Sequence, residues 1–435
     1  RNIDFFQVEP SYGSRQLGSG GDYVRGPAKS VALHGKVWYH DNDVASYRYP
    51  QIAQHKVPEF YASWLGVTRS AEESVWMYRR TVGFALGHGM HYGFFDLHGG
   101  YYDDPELLQG VKGICDVAEG ARHHARQSTS EILVVTDERS TMYCTYGNAF
   151  QAASLHSTMH QMIKVGAPYD SILVDDLEVA DLSQYKLVIF LNSYHLDDRQ
   201  RDLIRTTVLR DGRTVLWCYA AGLFNGRSRS LDLMHDITGF DMQESPHAMR
   251  PRMEFSQVEH PIAEAIERLG WYGIDSHGVC FDAPYRPKEG ENRLAESPKN
   301  GATQSEKLLD AIFVCDPKST VLGTVPGTGM PVFAVKNMGT WTSIYSMIVN
   351  FPAPILREIA RMAGVHIYSD QNDTLYTCSS YLTLHADGAG LRRVDLPYSC
   401  DVVDAFTGEQ LGRQVTSFEK ELRDGETLLV YLLHE

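Results

Sequence analysis

The sequence predicts an α/β chain in three parts. The end of a (β/α)8 barrel is expected over residues 1–128, a doubly wound, flavodoxin-like unit over 129–365, and a small antiparallel β unit over 366–435. Three observations carry this. Strand and helix patterns alternate in the first part, with polar residues where each strand ends. The second part holds near-continuous apolar strands, which implies burial on both faces and hence a parallel sheet. Beyond Val365 the pattern changes to short strands separated by turn residues.

The chain opens on an apolar run, Ile3–Val8, read as a strand, followed by the glycine-rich loop Gly18–Gly21. A second strand is expected from Ser30 to Tyr39, ending in His40-Asp41-Asn42-Asp43. Ser70 as N-cap, with Glu73 three residues on, starts a helix at Ala71 that runs to about Leu86. Tyr92–Asp96 reads as a third strand, and a helix begins at Pro105, with Leu108, Val111, Cys115 and Val117-Ala118 at near-helical spacing. Three strands cannot close a barrel, so the remaining strands are expected before Arg1.

In the second part the strands are Ile132–Val135, Ser171–Val174, Leu187–Leu191 and Thr214–Cys218, with helices over Gln151–Val165 and Asp197–Leu209. Residues 226–330 mix charged, Pro- and Gly-containing loops with short apolar runs and are expected to be irregular. A helix from Pro354 to Ala363 stops at Gly364, the usual position for a left-handed closing residue. In the third part, Leu375–Thr377, Tyr381–Leu384 and Leu428–Leu432 read as strands, with turns at Thr407-Gly408 and Asp424-Gly425.

Composition narrows the function. Net charge is −15 over 435 residues, which argues against nucleic acid or an anionic membrane as partner. No apolar run approaches the roughly 20 residues of a membrane span. Seven dispersed cysteines without a C-x-x-C pair read as reduced thiols, which favours the cytoplasm slightly and disfavours a zinc cluster. His156 and His160 stand one helical turn apart, but Ser157 occupies the place a metalloprotease gives to glutamate. Cys218 ends a strand between bulky residues, unsuited to a nucleophile elbow. Gly323–Gly329 lacks the strand-to-helix setting of a phosphate loop.

Several segments together resemble the family 42 glycoside hydrolases of trimeric β-galactosidase type. The run Ser-Val-Ala-Leu-His-Gly-Lys-Val-Trp-Tyr-His-Asp-Asn-Asp from Ser30 is similar to their seventh barrel strand. Leu86-Gly87-His88-Gly89, Phe94-Phe95-Asp96 and Gly99–Pro105 resemble the eighth strand and its loop. Tyr185–Phe190 resembles their trimerisation domain, and Gly364–Tyr368 and Asp401–Asp404 with Thr407-Gly408 their C-terminal β domain.

The resemblance implies a retaining mechanism with two carboxyl groups about 5 Å apart. The acid/base would lie on the fourth strand, expected before Arg1, and the nucleophile on the seventh. Where relatives have Glu there, this chain has Asp41, whose carboxylate sits roughly 1–1.5 Å further back. Asp43 is the alternative inward carboxylate, and either can instead cap loop amides.

Substrate contacts are expected from Glu9, Tyr12, His34, Lys36, Trp38, Asp43, Asp96 and His98. Several have a structural alternative: Glu9 pairing with Arg15, His34 and Lys36 finding partners beside Trp38 on one strand face, Asp96 holding the Gly99-Gly100 turn. The implied function is hydrolysis of β-galactosides or related β-glycosides by a homotrimer, with no metal or organic cofactor. The rivals are an inactive carbohydrate-binding or scaffold relative, favoured by Asp41, and a changed specificity such as β-mannosidase or α-L-arabinosidase, favoured by His98 where relatives often have Trp.

Overall fold

The structure, a computed structural model, describes residues 3–9, 15–49, 68–96, 99–144, 153–249, 252–269, 272–273 and 309–434. It is an α/β chain built on a three-stranded, a nine-stranded and a five-stranded sheet with a two-stranded ribbon. The segment 50–67 and the first residues of the helix expected from Gln151 lie outside the described residues.

The first sheet is parallel, in the order β1 (Phe5–Val8), β2 (Val37–Asn42) and β3 (His91–Phe94). The expected strand from Ser30 is corrected. Ala28–Leu33 is a helix, α1, and β2 begins only at Val37. Gly35, at φ +65°, closes the helix: Lys36 N–H reaches Val31 O at 3.0 Å and Gly35 N–H reaches Ala32 O at 2.9 Å. That left-handed closure is open to glycine and strained for other residues.

Helix α2 (Ala71–Gly87) starts as the sequence implies, Ser70 accepting from Glu73 N–H at 3.1 Å. Its mean surface is not amphipathic, because nearly every residue is buried. Val75 packs against Gly110 of α3 (Pro105–Gly120), which Asp104 caps through Glu106 and Leu107 N–H. Phe84 and Tyr78 face the first sheet, and Gly83 and Gly87 lie against Thr383 and Tyr376 of the C-terminal sheet.

The nine-stranded sheet has a parallel half in the order β5 (Tyr169–Leu173), β4 (Ile132–Thr136), β6 (Leu187–Phe190), β7 (Thr214–Cys218), β14 (Thr342–Ser346). Every residue of β6 and β7 is buried, which accounts for their unbroken apolar sequence. Residues 226–330 are more regular than expected. Their described part supplies α4 (Leu231–Thr238), α5 (Pro261–Leu269) and an antiparallel arm, β13 (Pro331–Asn337), β12 (Thr320–Thr324), β9 (Arg252–Phe255) and β10 (Tyr272–Gly273). β8 (Met242–Met249) and β11 (Leu309–Val314) form the ribbon. Alternation there is broken by bulges between Val321 and Thr324, which hid the strands in the sequence. Gly323–Gly329 is the end of β12 and its turn into β13.

Helix α6 (Ala353–Met362) ends through Gly364 at φ +78°, Val365 N–H bonding Ala360 O. The C-terminal sheet is antiparallel, in the order β15 (Thr374–Thr377), β16 (Tyr381–His385), β19 (Thr427–Leu433), β17 (Gly390–Asp404), β18 (Gln410–Leu422). A buried Arg392–Asp373 pair at 2.6 Å ties its first strand to β17.

Three buried histidines and the half-buried His88 give the fold a pH dependence. Burial pushes His40 and His88 down to about 4 and His160 to about 3, and lowers His385 well below its ordinary value. These rings fold neutral but protonate in the unfolded chain near 6.5, so the unfolded state binds more protons between those values. Stability is therefore present above pH 6.5 and lost as pH falls toward 4. Urea unfolding across that window should show a falling midpoint, and His88→Gln should have a shallower slope. A flat midpoint would contradict neutral burial of these rings.

Candidate functional site

In a strand, successive side chains point to opposite faces, so β2 sorts its residues by parity. Val37, Tyr39 and Asp41 point away from the helices. With Phe5 and Gln7 of β1, and with Phe95 just after β3, they line an open groove of about 510 Å³. Trp38, His40 and Asn42 point the other way. Trp38 stacks on Phe6 and lies over Gly26, where a Cβ would stand 2.7 Å from its ring. His40 packs edge-on against Phe84 of α2 at 4.8 Å.

Asp41 stands at the carboxyl end of the middle strand, where parallel barrels carry their chemistry. It is 5% exposed, and its Oδ2 accepts a hydrogen bond from Gln7 Nε2 at 2.8 Å. Gly93 is its register partner on β3. Tyr39, one step below, has its hydroxyl directed over Gly93, where any Cβ would lie 1.6 Å from that oxygen. Burial, and next the Asp41 carboxylate, raise the Tyr39 phenol above its ordinary value.

Asp43 is held differently. Arg15, fully buried, places Nη2 3.3 Å from Asp43 Oδ2 and hydrogen-bonds its main-chain oxygen through Nη1. Burial raises the Asp43 carboxyl, with Arg15 opposing and Asp41 and Glu9 adding to the rise. Glu9 pairs with Arg25 at 3.9 Å and not with Arg15.

Two further expectations are corrected, and Asp96 takes the structural alternative given for it. His34 and Lys36 are not on the strand: His34 caps α1 and its Nε2 lies 2.7 Å from Asp176 Oδ1, and Lys36 sits in the turn before β2. Trp38 is on the face opposite Asp41, among core side chains. Asp96 accepts from Gly99 N–H at 2.7 Å and Tyr101 N–H at 3.0 Å, holding the turn. Tyr12 and His98 lie outside the described residues.

Gln7 and Tyr39 are the site residues that sequence reasoning missed. Parity was the available signal: a regular strand that presents Asp41 also presents Tyr39 and turns Trp38 away.

Among the described residues no group of three or more His, Cys, Asp or Glu side chains is placed to hold a metal ion. His160 is buried against Tyr23, and Cys218 is a buried thiol whose pKa burial raises. No helix of the described residues is long and apolar enough to cross a membrane.

No protein-family model matches the sequence, and no curated protein matches it. Solved structures do. The β-galactosidase from Rahnella sp. R3 is similar over 99% of this chain and 60% of that one, at TM-score 0.59 and 12% identity. A GH42 β-galactosidase from G. stearothermophilus covers 94% of this chain and 61% of its own, at TM-score 0.55 and 13% identity. The α-L-fucosidase isoenzyme 2 from Paenibacillus thiaminolyticus covers 97% and 64%, at TM-score 0.51 and 13% identity. The class is thus a glycoside hydrolase fold. More narrowly, the chain has the fold of the GH42 β-galactosidases, spanning about 60% of their length.

The Arg15–Asp43 pair should be costly to break singly, because a buried carboxylate is then left without its cation. Arg15→Met is expected to lower unfolding free energy by about 3–5 kcal/mol. The double variant Arg15→Met/Asp43→Leu should recover most of that in urea unfolding. A single variant as stable as the parent would show that the pair does not anchor the strand end.

Proposed function

We propose that this chain works in a retaining β-glycosidase of β-galactosidase type, with Asp41 as nucleophile. The observation that supports this is the placement of Asp41, at the carboxyl end of a central parallel strand and facing an open groove with one carboxylate oxygen fixed by Gln7. In such a reaction Asp41 attacks the anomeric carbon while a second carboxyl group protonates the leaving oxygen. A glycosyl ester forms, and water, deprotonated by that second group, releases the sugar. The second carboxyl is assigned to no residue of this chain. In this reading residues 1–128 are the end of the catalytic barrel, and the open face of β1–β3 is part of its interior. Residues 129–365 form the flavodoxin-like trimerisation domain of a homotrimer, and 366–435 the C-terminal β domain.

The shorter reach of aspartate favours a second reading, a sugar-binding or scaffold relative without hydrolysis. A misplacement of about 1 Å can cost on the order of a hundredfold in rate. The likeness to an α-L-fucosidase supports a third, a glycosidase of changed specificity such as a β-mannosidase or α-L-arabinosidase.

A panel of nitrophenyl glycosides assayed with the full-length gene product separates these readings. Hydrolysis of one sugar, with a loss on the order of a thousandfold in Asp41→Asn, is the expected result. Hydrolysis that survives Asp41→Asn would remove Asp41 from the chemistry. No hydrolysis, with a trimeric mass by light scattering, would leave the binding reading.

A further inference from the structure

We infer that the Tyr39 phenol is the hydrogen-bond donor that holds, beside Asp41, the sugar hydroxyl adjacent to the reacting carbon. This rests on the reading of Asp41 as nucleophile and adds a substrate-binding residue to it.

Gly93 is paired in register with Asp41 on the neighbouring parallel strand. Paired residues project to the same face about one strand spacing apart, roughly 5 Å. A Cβ at Gly93 would lie 1.6 Å from the Tyr39 hydroxyl oxygen and 2.7 Å from the ring carbon that bears it. The hydroxyl therefore occupies the place a β3 side chain would take, directly beside the root of Asp41. Tyr39 itself is paired one step lower, with Gln7 and His91. Its ring leans along the strand toward the carboxyl end, and the absence of a side chain at Gly93 permits this.

Two further facts give that hydroxyl a role. Among the described residues it makes no hydrogen bond. Gln7, from the opposite flank, already holds Asp41 Oδ2. A ligand oxygen in front of the strand end thus meets a carboxylate that accepts and a phenol that donates. One sugar hydroxyl satisfies both, donating to Asp41 and accepting from Tyr39. Burial and the neighbouring carboxylate keep the phenol protonated, which suits a donor and not a phenolate nucleophile. Hydrogen bonds to the hydroxyl next to the anomeric carbon tighten in glycosyl transfer as charge develops at the ring.

Tyr39→Phe removes one oxygen and keeps the ring, so it tests the role without emptying the site. The substrates are p-nitrophenyl β-D-galactoside, or the glycoside that the parent prefers, and the same glycoside lacking the 2-hydroxyl. The expected result is a fall of about tenfold in kcat/KM on the hydroxylated substrate, the size of one neutral hydrogen bond. On the 2-deoxy substrate Tyr39→Phe should match the parent. Gly93→Ala, which displaces the phenol, should reproduce the selective loss. An equal loss on both substrates, or no loss on either, overturns the inference while leaving Asp41 as nucleophile. Hydrolysis of neither by the parent overturns the reading of Asp41 and this inference with it.

Discussion

Burial of helix α2 is the constraint on which the rest depends. All but four of its residues are buried, so it has no solvent face to spare. Its sides are claimed by the first sheet, by α3 and by the C-terminal sheet, and Thr427 donates its hydroxyl to the Trp76 carbonyl. Such a helix needs small residues where backbones approach. At Gly83 a Cβ would stand 2.3 Å from Thr383 Oγ1, so a methyl group there must push a strand away. Its one fully buried cation, Arg80, bonds Gln16 O at 2.6 Å and contacts His385 across the junction. Interiors packed this closely transmit displacement, so the strand that carries Asp41 is located by a sheet some 340 residues later in sequence.

The two carboxylates at the end of β2 are distinguished by their partners. Asp43 is neutralised by a buried guanidinium, an arrangement that anchors and leaves little for a ligand. Asp41 is met by a neutral amide, which orients one oxygen without cancelling the charge. The two carboxylates, two residues apart, thus differ in what holds them: Asp43 is tied by side chain and main chain to Arg15, and Asp41 is held through one oxygen by Gln7.

Much of the fold was legible because its strands obey simple rules. The apolar runs at Leu187 and Thr214 announced a parallel sheet, and Ser70, Gly364 and Pro105 marked helix ends that the structure places within a residue. The segment from Ser30 was misread because Ser-Val-Ala-Leu carries no period long enough to separate one helical turn from a strand. Gly35 was the visible correction, a left-handed stop in the middle of the supposed strand. The same error carried His34, Lys36 and Trp38 into the site, since a strand begun too early sets no reliable inward face. Gln7 was beyond reach, because its bond to Asp41 is a long-range contact fixed only by the β1–β2 register. The arm built on β9 and β12 escaped notice because bulges break its alternation.

The first sheet also has a consequence for how the polypeptide behaves in the test tube. Phe5 and Val37 on its open face are 57% and 37% exposed, and among the described residues the outer edges of β1 and β3 have no strand neighbour. In a polypeptide of these 435 residues alone, unpaired backbone donors and acceptors beside an oily surface form a template for adventitious pairing between copies. Copies joined this way would add mass without symmetry, in open-ended chains whose size grows with concentration, whereas a closed ring has a fixed stoichiometry. Dilution series and a charged residue placed on β1 therefore become controls for colloidal behaviour whenever a quaternary structure is assigned to these 435 residues.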